Sequence, residues 1–222
     1  DMNDNVKNKK IYYFAGGLLA LLLLSATVLF SLGYRVTENF SIAKNGYMTI
    51  NIPLPNTTVI INETKKIITS KDNEIIKVSL PQKAHSLIIH HESFYPWIKE
   101  IKVSSNKVTE VSPIFVYQSP SGSIITKNDS EYWKIVNNIN KNFLPRNNSA
   151  KKSVDGSVSI WVEENKILAK IGEEIIEVVK PEETILNLDF YKNRNDSVLF
   201  SAGNGVYVIE INKEGTQNFM PI

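Results

Sequence analysis

The chain has 222 residues and a mass of 25.1 kDa, room for one or two domains. Its 25 basic and 23 acidic side chains leave a net charge of +2, which excludes a nucleic-acid binder recognisable by charge, and 42% hydrophobic residues exclude disorder throughout. With no cysteine there are no disulfides, thiol nucleophiles, cysteine-held zinc or iron–sulfur clusters, and no anchor on an acylated cysteine.

Residues 11–32 form an uncharged apolar run of 22 residues. As a helix it reaches about 33 Å, close to the ~30 Å hydrocarbon core of a bilayer. A helix apolar on every side does not sit on a protein surface in water. Tyr12, Tyr13 and Tyr34 stand near its ends, where rings with a polar tip favour the membrane interface. Lys7, Lys9 and Lys10 precede the run, whereas residues 33–50 carry only Arg35 and Lys44, so the charge bias predicts residues 1–10 in the cytoplasm and 34–222 outside it. The competing reading is a cleaved signal peptide, with Leu24-Ser25-Ala26 loosely resembling a cleavage site; the run is longer than the usual 7–15 residues of a signal core, which favours an uncleaved anchor. A pilin-like helix is not indicated, because no acidic residue stands early in the run and no long amphipathic helix follows.

From residue 46 the period is that of strands. Met48, Ile50 and Ile52 alternate with Thr49 and Asn51; Ile76, Val78 and Leu80 oppose Lys77 and Ser79; Trp97, Ile101 and Val103 oppose Ile98, Glu100 and Lys102. Residues 59–61, 87–91 and 108–116 add short strands, separated by the turn material Pro53-Leu54-Pro55-Asn56, Lys71-Asp72-Asn73 and Ser104-Ser105-Asn106. This alternation predicts half-buried strands of a small antiparallel β-sandwich over 46–116, with Trp97 buried.

Residues 46–116 resemble a PEGA domain. The order that carries the likeness runs through Gly46-Tyr47-Met48-Thr49-Ile50, then Pro55-Asn56-Thr57-Thr58-Val59-Ile60-Ile61-Asn62, then Val78-Ser79-Leu80-Pro81. It continues with Ser86-Leu87-Ile88-Ile89-His90, the aromatic turn Phe94-Tyr95-Pro96-Trp97 and the final strands 98–103 and 108–116. The resemblance covers about a third of the chain and implies a small extracytoplasmic β-sandwich of the kind carried by bacterial and archaeal surface proteins. The tetrapeptide Pro-Glu-Gly-Ala is replaced by Pro55-Asn56-Thr57-Thr58, so the family's tight turn is not implied here.

Residues 117–153 read as a linker or long loop, with a short helix near 131–139. The stretch 134–152 carries Lys134, Lys141, Arg146, Lys151 and Lys152 with no acid. Lys141, Arg146, Lys151 and Lys152 are candidates for contact with a polyanion, either lipid or wall polymer. Against this, Ile, Asn and Lys number 28, 24 and 22 in the chain, a bias that base composition imposes and that discounts any Lys- and Asn-rich run. Strands then resume over 154–222 as antiparallel hairpins: 157–162 and 166–171 flank Glu163-Glu164-Asn165, and 174–179, 185–190, 197–201 and 206–211 follow. The segments 185–190, 198–200 and 205–210 look like a β-propeller blade, but only one or two blades' worth of sequence is present where a closed propeller needs about four to eight. A degenerate blade or a fragment of a longer chain both fit. The predicted fold class is therefore mainly β: a transmembrane helix, a small antiparallel sandwich, then separate hairpins resembling incomplete propeller blades.

The search for chemistry returns little. His90 and His91 are neighbours in a strand and face opposite ways, and His85 is the only other histidine, so no metal site and no cofactor are predicted. Gly203-Asn204-Gly205 leads into a strand rather than a helix and reads as a turn, and Ser119-Pro120-Ser121-Gly122-Ser123 has no histidine arguable as a base. The carboxylates Glu163, Glu164, Glu173, Glu174, Glu177, Glu182 and Glu183 alternate with Lys166, Lys170 and Lys180 on hairpin rims, the pattern of a soluble face that blunts sheet edges. Six glycosylation sequons begin at Asn39, Asn56, Asn62, Asn128, Asn147 and Asn195, several of them by chance in so Asn-rich a chain. The leading expectation is a membrane-anchored, non-catalytic binding or structural module of the cell envelope. Its partners would be the membrane and an envelope polymer or another surface protein, not nucleic acid. A sensor acting through a cytoplasmic partner and a cell-wall hydrolase are the alternatives.

Overall fold

The computed structural model describes residues 2–36, 42–141, 144–212 and 215–222. The chain is mainly β, with an N-terminal apolar helix and several antiparallel sheets. In order the elements are α1 (Met2–Ser31), β1 (Tyr34–Val36), β2 (Ile42–Ile52), β3 (Thr58–Ile61), β4 (Lys65–Ile68), β5 (Glu74–Pro81), β6 (Ala84–His90), β7 (Trp97–Lys102) and β8 (Val108–Val111). Then come α2 (Tyr132–Lys141), β9 (Lys151–Lys152), β10 (Val158–Glu163), β11 (Lys166–Ile171), β12 (Glu174–Val179), β13 (Ile185–Phe190), β14 (Ser197–Ala202), β15 (Gly205–Glu210) and β16 (Phe219–Pro221).

The Leu-rich run favours helix and offers no polar face to water. Tyr13–Ser31, 19 residues of mean hydropathy 2.1, is long and apolar enough to cross a membrane and is buried nowhere in the protein. At ~1.5 Å per residue it spans about 28 Å. The hydroxyls of Ser25, Thr27 and Ser31 donate back to carbonyls three or four residues earlier, so these polar groups carry their own partners in an apolar surrounding. The helix stops at Gly33, whose φ of +84° is the left-handed conformation that a helix C-terminus reserves for glycine.

The chain divides into two compact units. The first comprises Asp1–Pro53, Asn73–His85 and Lys102–Ser112. Its sheet is built on β2, with β5 antiparallel along one edge and β1 and β8 sharing the other. β8 runs parallel to β2, a departure from the all-antiparallel expectation: pairing Tyr47 with Val108 and Ile50 with Val111 keeps Met48, Ile50 and Val111 buried. The register Met48↔Val78 and Ile50↔Ile76 lines up the apolar residues of one face. Gly46 is required where it stands, because a Cβ there would strike the Ser104 carbonyl oxygen. His85 is a core residue, 1% exposed, with Nε2 2.8 Å from the Pro81 carbonyl oxygen.

The second unit comprises Leu54–Asp72, Ser86–Ile101 and Pro113–Ile222, and holds three four-stranded sheets. One has the order β4-β3-β6-β7, with Val59↔Ile89 and Ile61↔Leu87 buried at its centre. Residues 54–57 form a turn with Asn56 at φ +54°. Thr57 and Thr69, both buried, close it: Thr69 Oγ1 donates to Leu54 O at 2.9 Å and accepts from Thr57 N at 2.8 Å. The other two sheets are successive meanders, β9-β10-β11-β12 and β13-β14-β15-β16. They share a core that includes Ile160, Ile167, Ala169, Val198, Phe200 and Ile211. The β10–β11 hairpin turns on Glu164 and Asn165 at φ +49° and +58°, a two-residue turn whose twist matches the strands.

Candidate functional site

The basic segment begins with a turn in which the Thr126 backbone N–H and hydroxyl donate to Asp129 Oδ2 at 2.6 and 2.9 Å. Those bonds hold the Asp129 carboxyl below its ordinary value. α2 follows, a helix at the position expected for one. Past it, Pro145 is buried and its carbonyl accepts from Val162 N at 2.8 Å, so this stretch is stitched to the end of β10. A single 3₁₀ turn over Asn147–Ser149 then closes on Arg146, whose carbonyl accepts from Ser149 N and whose N–H donates to Ser149 Oγ.

This geometry forms an open cleft of about 470 Å³ lined by Arg146, Asn147, Asn148, Val162, Glu163 and Glu164. It sets a guanidinium and two amides beside two carboxylates, a surface able to grip hydroxyl-rich or mixed-charge ligands through several hydrogen bonds at once. The described ones among the four predicted cations have different surroundings. Arg146 lines the cleft; Lys151 is held by Asp189, Nζ to Oδ2 2.6 Å; Lys152 is exposed on β9, opposite Ser159 of β10. Lys141 ends α2, and its side chain lies outside the described residues. The side chains of Lys7, Lys9 and Lys10 lie outside them too; their backbone is helical and precedes the span Tyr13–Ser31.

Three of the acidic residues singled out from the sequence have local partners. Glu163 accepts from Trp161 Nε1 at 3.1 Å, Glu173 meets Lys170 at 3.5 Å, and Glu177 pairs with Lys166 at 3.0 Å. The Glu177 carboxylate raises the Lys166 pKa, by its hydrogen bond first and its charge second. Among the described residues, no three His, Asp or Glu side chains converge to hold a metal ion. A second open depression, about 610 Å³, is lined by Glu92, Ser93, Tyr117, Gln118, Ser119, Pro120 and Ser121.

One cluster that sequence reading passed over is a buried ion pair of the second unit with its hydrogen-bond partners. Glu210 of β15 takes Trp97 Nε1 on Oε1 at 2.7 Å and Lys99 Nζ on Oε2 at 2.7 Å. The Lys99 and Glu210 side chains are only 10% and 8% exposed. Asn218 completes it: its N–H and Nδ2 donate to Glu210 Oε2 at 3.2 and 3.1 Å, while its amide bonds both the N–H and the carbonyl of Ile98 at 3.0 Å. The amide thus acts as a strand partner for β7. Parity held the signal: Lys99 falls on the inward side of Trp97-x-Lys99-x-Ile101, and Glu210 on that of Val208-x-Glu210.

Asp155 organises a tight turn before β10. Its Oδ1 accepts from Ser153 Oγ at 2.6 Å and from Ser157 Oγ and N at 2.8 and 3.1 Å, and its Oδ2 from Asn195 Nδ2 at 2.7 Å. These donors, Ser153 foremost, hold the carboxyl far below the ordinary range.

No family model matches the chain, and no curated protein matches it in sequence.

Proposed function

We propose that the chain is a single-pass, membrane-anchored binding or structural module of the cell envelope, with residues 1–10 in the cytoplasm and the β-rich part outside, and that it works by contact rather than catalysis. The observation that carries this reading is the fully exposed apolar helix Tyr13–Ser31 leading directly into β-sheets. The lysines at 7, 9 and 10 support the orientation. Strand order over 46–116 supports a PEGA-like module, and two consecutive four-stranded meanders with a common core support propeller-blade-like units. Among the rim carboxylates, Glu173 and Glu177 pair with neighbouring lysines and Glu163 accepts from an indole, which supports the non-enzymatic reading.

The binding surface in this proposal is the Arg146 cleft, and the ligand a hydroxyl-rich or mixed-charge envelope polymer. Sedimentation of the protein with isolated envelope polymers tests it. Pelleting should weaken with added salt, fall several-fold in Arg146→Ala, and change least in Lys151→Ala, whose charge Asp189 already holds. Pelleting insensitive to salt and to all four substitutions at Lys141, Arg146, Lys151 and Lys152 would remove the polymer reading. Turnover of wall fragments that disappears in Glu164→Gln would overturn the non-enzymatic one.

A further inference from the structure

The junction between α1 and the first sheet carries an inference about the lipid surface. Only Leu32 and Gly33 separate the helix from β1. Gly33 O accepts from Asn45 N at 3.2 Å, which fixes the level at which the helix meets β2. From that level β2 runs one way to Ile52, alongside β5 and β8, and the other way to Ile42, alongside β1. The β1–β2 hairpin therefore projects away from the body of the sheet.

Arg35 of β1 reaches back to the end of the helix. Arg35 Nη1 donates to the Phe30 carbonyl at 2.7 Å, and its guanidinium carbon stands 3.5 Å from the centre of the Phe30 ring. Phe30 belongs to the apolar span, so Arg35 is held at the depth where the span ends. A cation there satisfies a C-terminal helix carbonyl and favours the helix dipole, and that depth is where lipid phosphates begin. Lys44 Nζ lies 5.2 Å from the Tyr34 ring, a second cation over an aromatic at this level. Next to them, Val36 and Ile42 are cross-strand partners, side by side on one face, 69% and 60% exposed. A paired valine and isoleucine left in water forfeit the favourable transfer of their side chains to an apolar surrounding.

We propose that the paired strand ends Tyr34–Val36 and Ile42–Lys44 lie in the lipid headgroup layer, with Val36 and Ile42 inserted among the upper acyl chains and Arg35 and Lys44 at the phosphates. This makes the anchor a two-point attachment, a spanning helix plus an interfacial hairpin, that fixes the first unit's orientation on the bilayer. The inference rests on the membrane-spanning reading of α1.

The cysteine-free sequence allows a direct test on the full chain in vesicles of phosphatidylcholine and phosphatidylglycerol. Single substitutions Val36→Cys, Ile42→Cys, Lys77→Cys and Leu22→Cys, all at exposed positions, carry a fluorophore read by two quenchers: aqueous iodide, and nitroxides fixed at defined lipid depths. Labels at 36 and 42 should be shielded from iodide and quenched best by a shallow nitroxide, roughly 5–10 Å below the headgroup boundary. The label at 77 should respond to iodide alone, and that at 22 to a deep nitroxide. If 36 and 42 behave as 77 does while 22 reports the bilayer centre, the hairpin is outside the lipid and the proposal fails with the anchor intact. If 22 is open to iodide as well, the membrane reading falls and takes the proposal with it.

Discussion

The asparagines show how a compositional bias can hide function in folding. Asn56, Asn62, Asn73, Asn106, Asn165 and Asn193 all have positive φ. Asn tolerates that region better than residues other than glycine, because its short amide bonds locally. Asn165 does most: its Nδ2 donates to the carbonyls of Pro181 and Glu183, and its Oδ1 accepts from Ile185 N. Asn165→Ala loses three bonds and strains the backbone, so it should cost about 2–4 kcal/mol. Asn165→Gly keeps the left-handed backbone and should cost about 1 kcal/mol less. Urea unfolding followed by Trp fluorescence separates the two. Asp155 gives a pH signature. Its folded pKa lies below the unfolded value of ~3.9, so its contribution is complete above that value and is lost as pH falls towards the folded pKa. NMR titration should find its carboxyl still ionised where ordinary aspartates protonate, and Ser153→Ala should move its midpoint upward.

At the level of strands and helices, legibility followed alternation. β2, β5 and β7 could be read from period-two patterning, because one face of each is buried and the other more exposed. β4 could not: Lys65-Lys66-Ile67-Ile68 has no alternation and sits at a sheet edge, where exposure is mixed. Nor could the parallel pairing of β8 with β2, since partner choice is decided by packing far along the chain. The pattern over 112–116 predicts a strand continuing from β8; Ile114 and Val116 are indeed buried, but the ladder ends at Val111. Of the candidate site, the Arg146 region was legible as a basic run, while its approach to Glu163 and Glu164 depends on the Pro145–Val162 bond, which no local pattern announces. The buried Lys99–Glu210 pair links β7 to β15. Lys99→Met strands a buried carboxylate and should cost about 3–5 kcal/mol. Adding Glu210→Gln removes that charge yet still offers an oxygen to Trp97, so the double variant should be more stable than Lys99→Met alone. A double-mutant cycle by chemical denaturation measures this coupling, and additive losses would show the pair to be independent.

For the molecule as a whole, composition and the helix say where the chain sits more firmly than any side-chain cluster says what it touches. A charge-free span of this length is costly to leave in water, and the proposed direction of insertion rests on the lysine bias before it. The most direct measurement is therefore topological. With Asn3→Cys or Leu186→Cys as the only thiol in the full chain, intact and permeabilised cells are treated with a membrane-impermeant maleimide. The account predicts that position 186 is labelled in intact cells, that position 3 is labelled only after permeabilisation, and that both remain in the membrane fraction. Labelling of position 3 with protection of 186 in intact cells would mean an inverted chain, and recovery of the protein in the soluble fraction would mean that the helix anchors nothing.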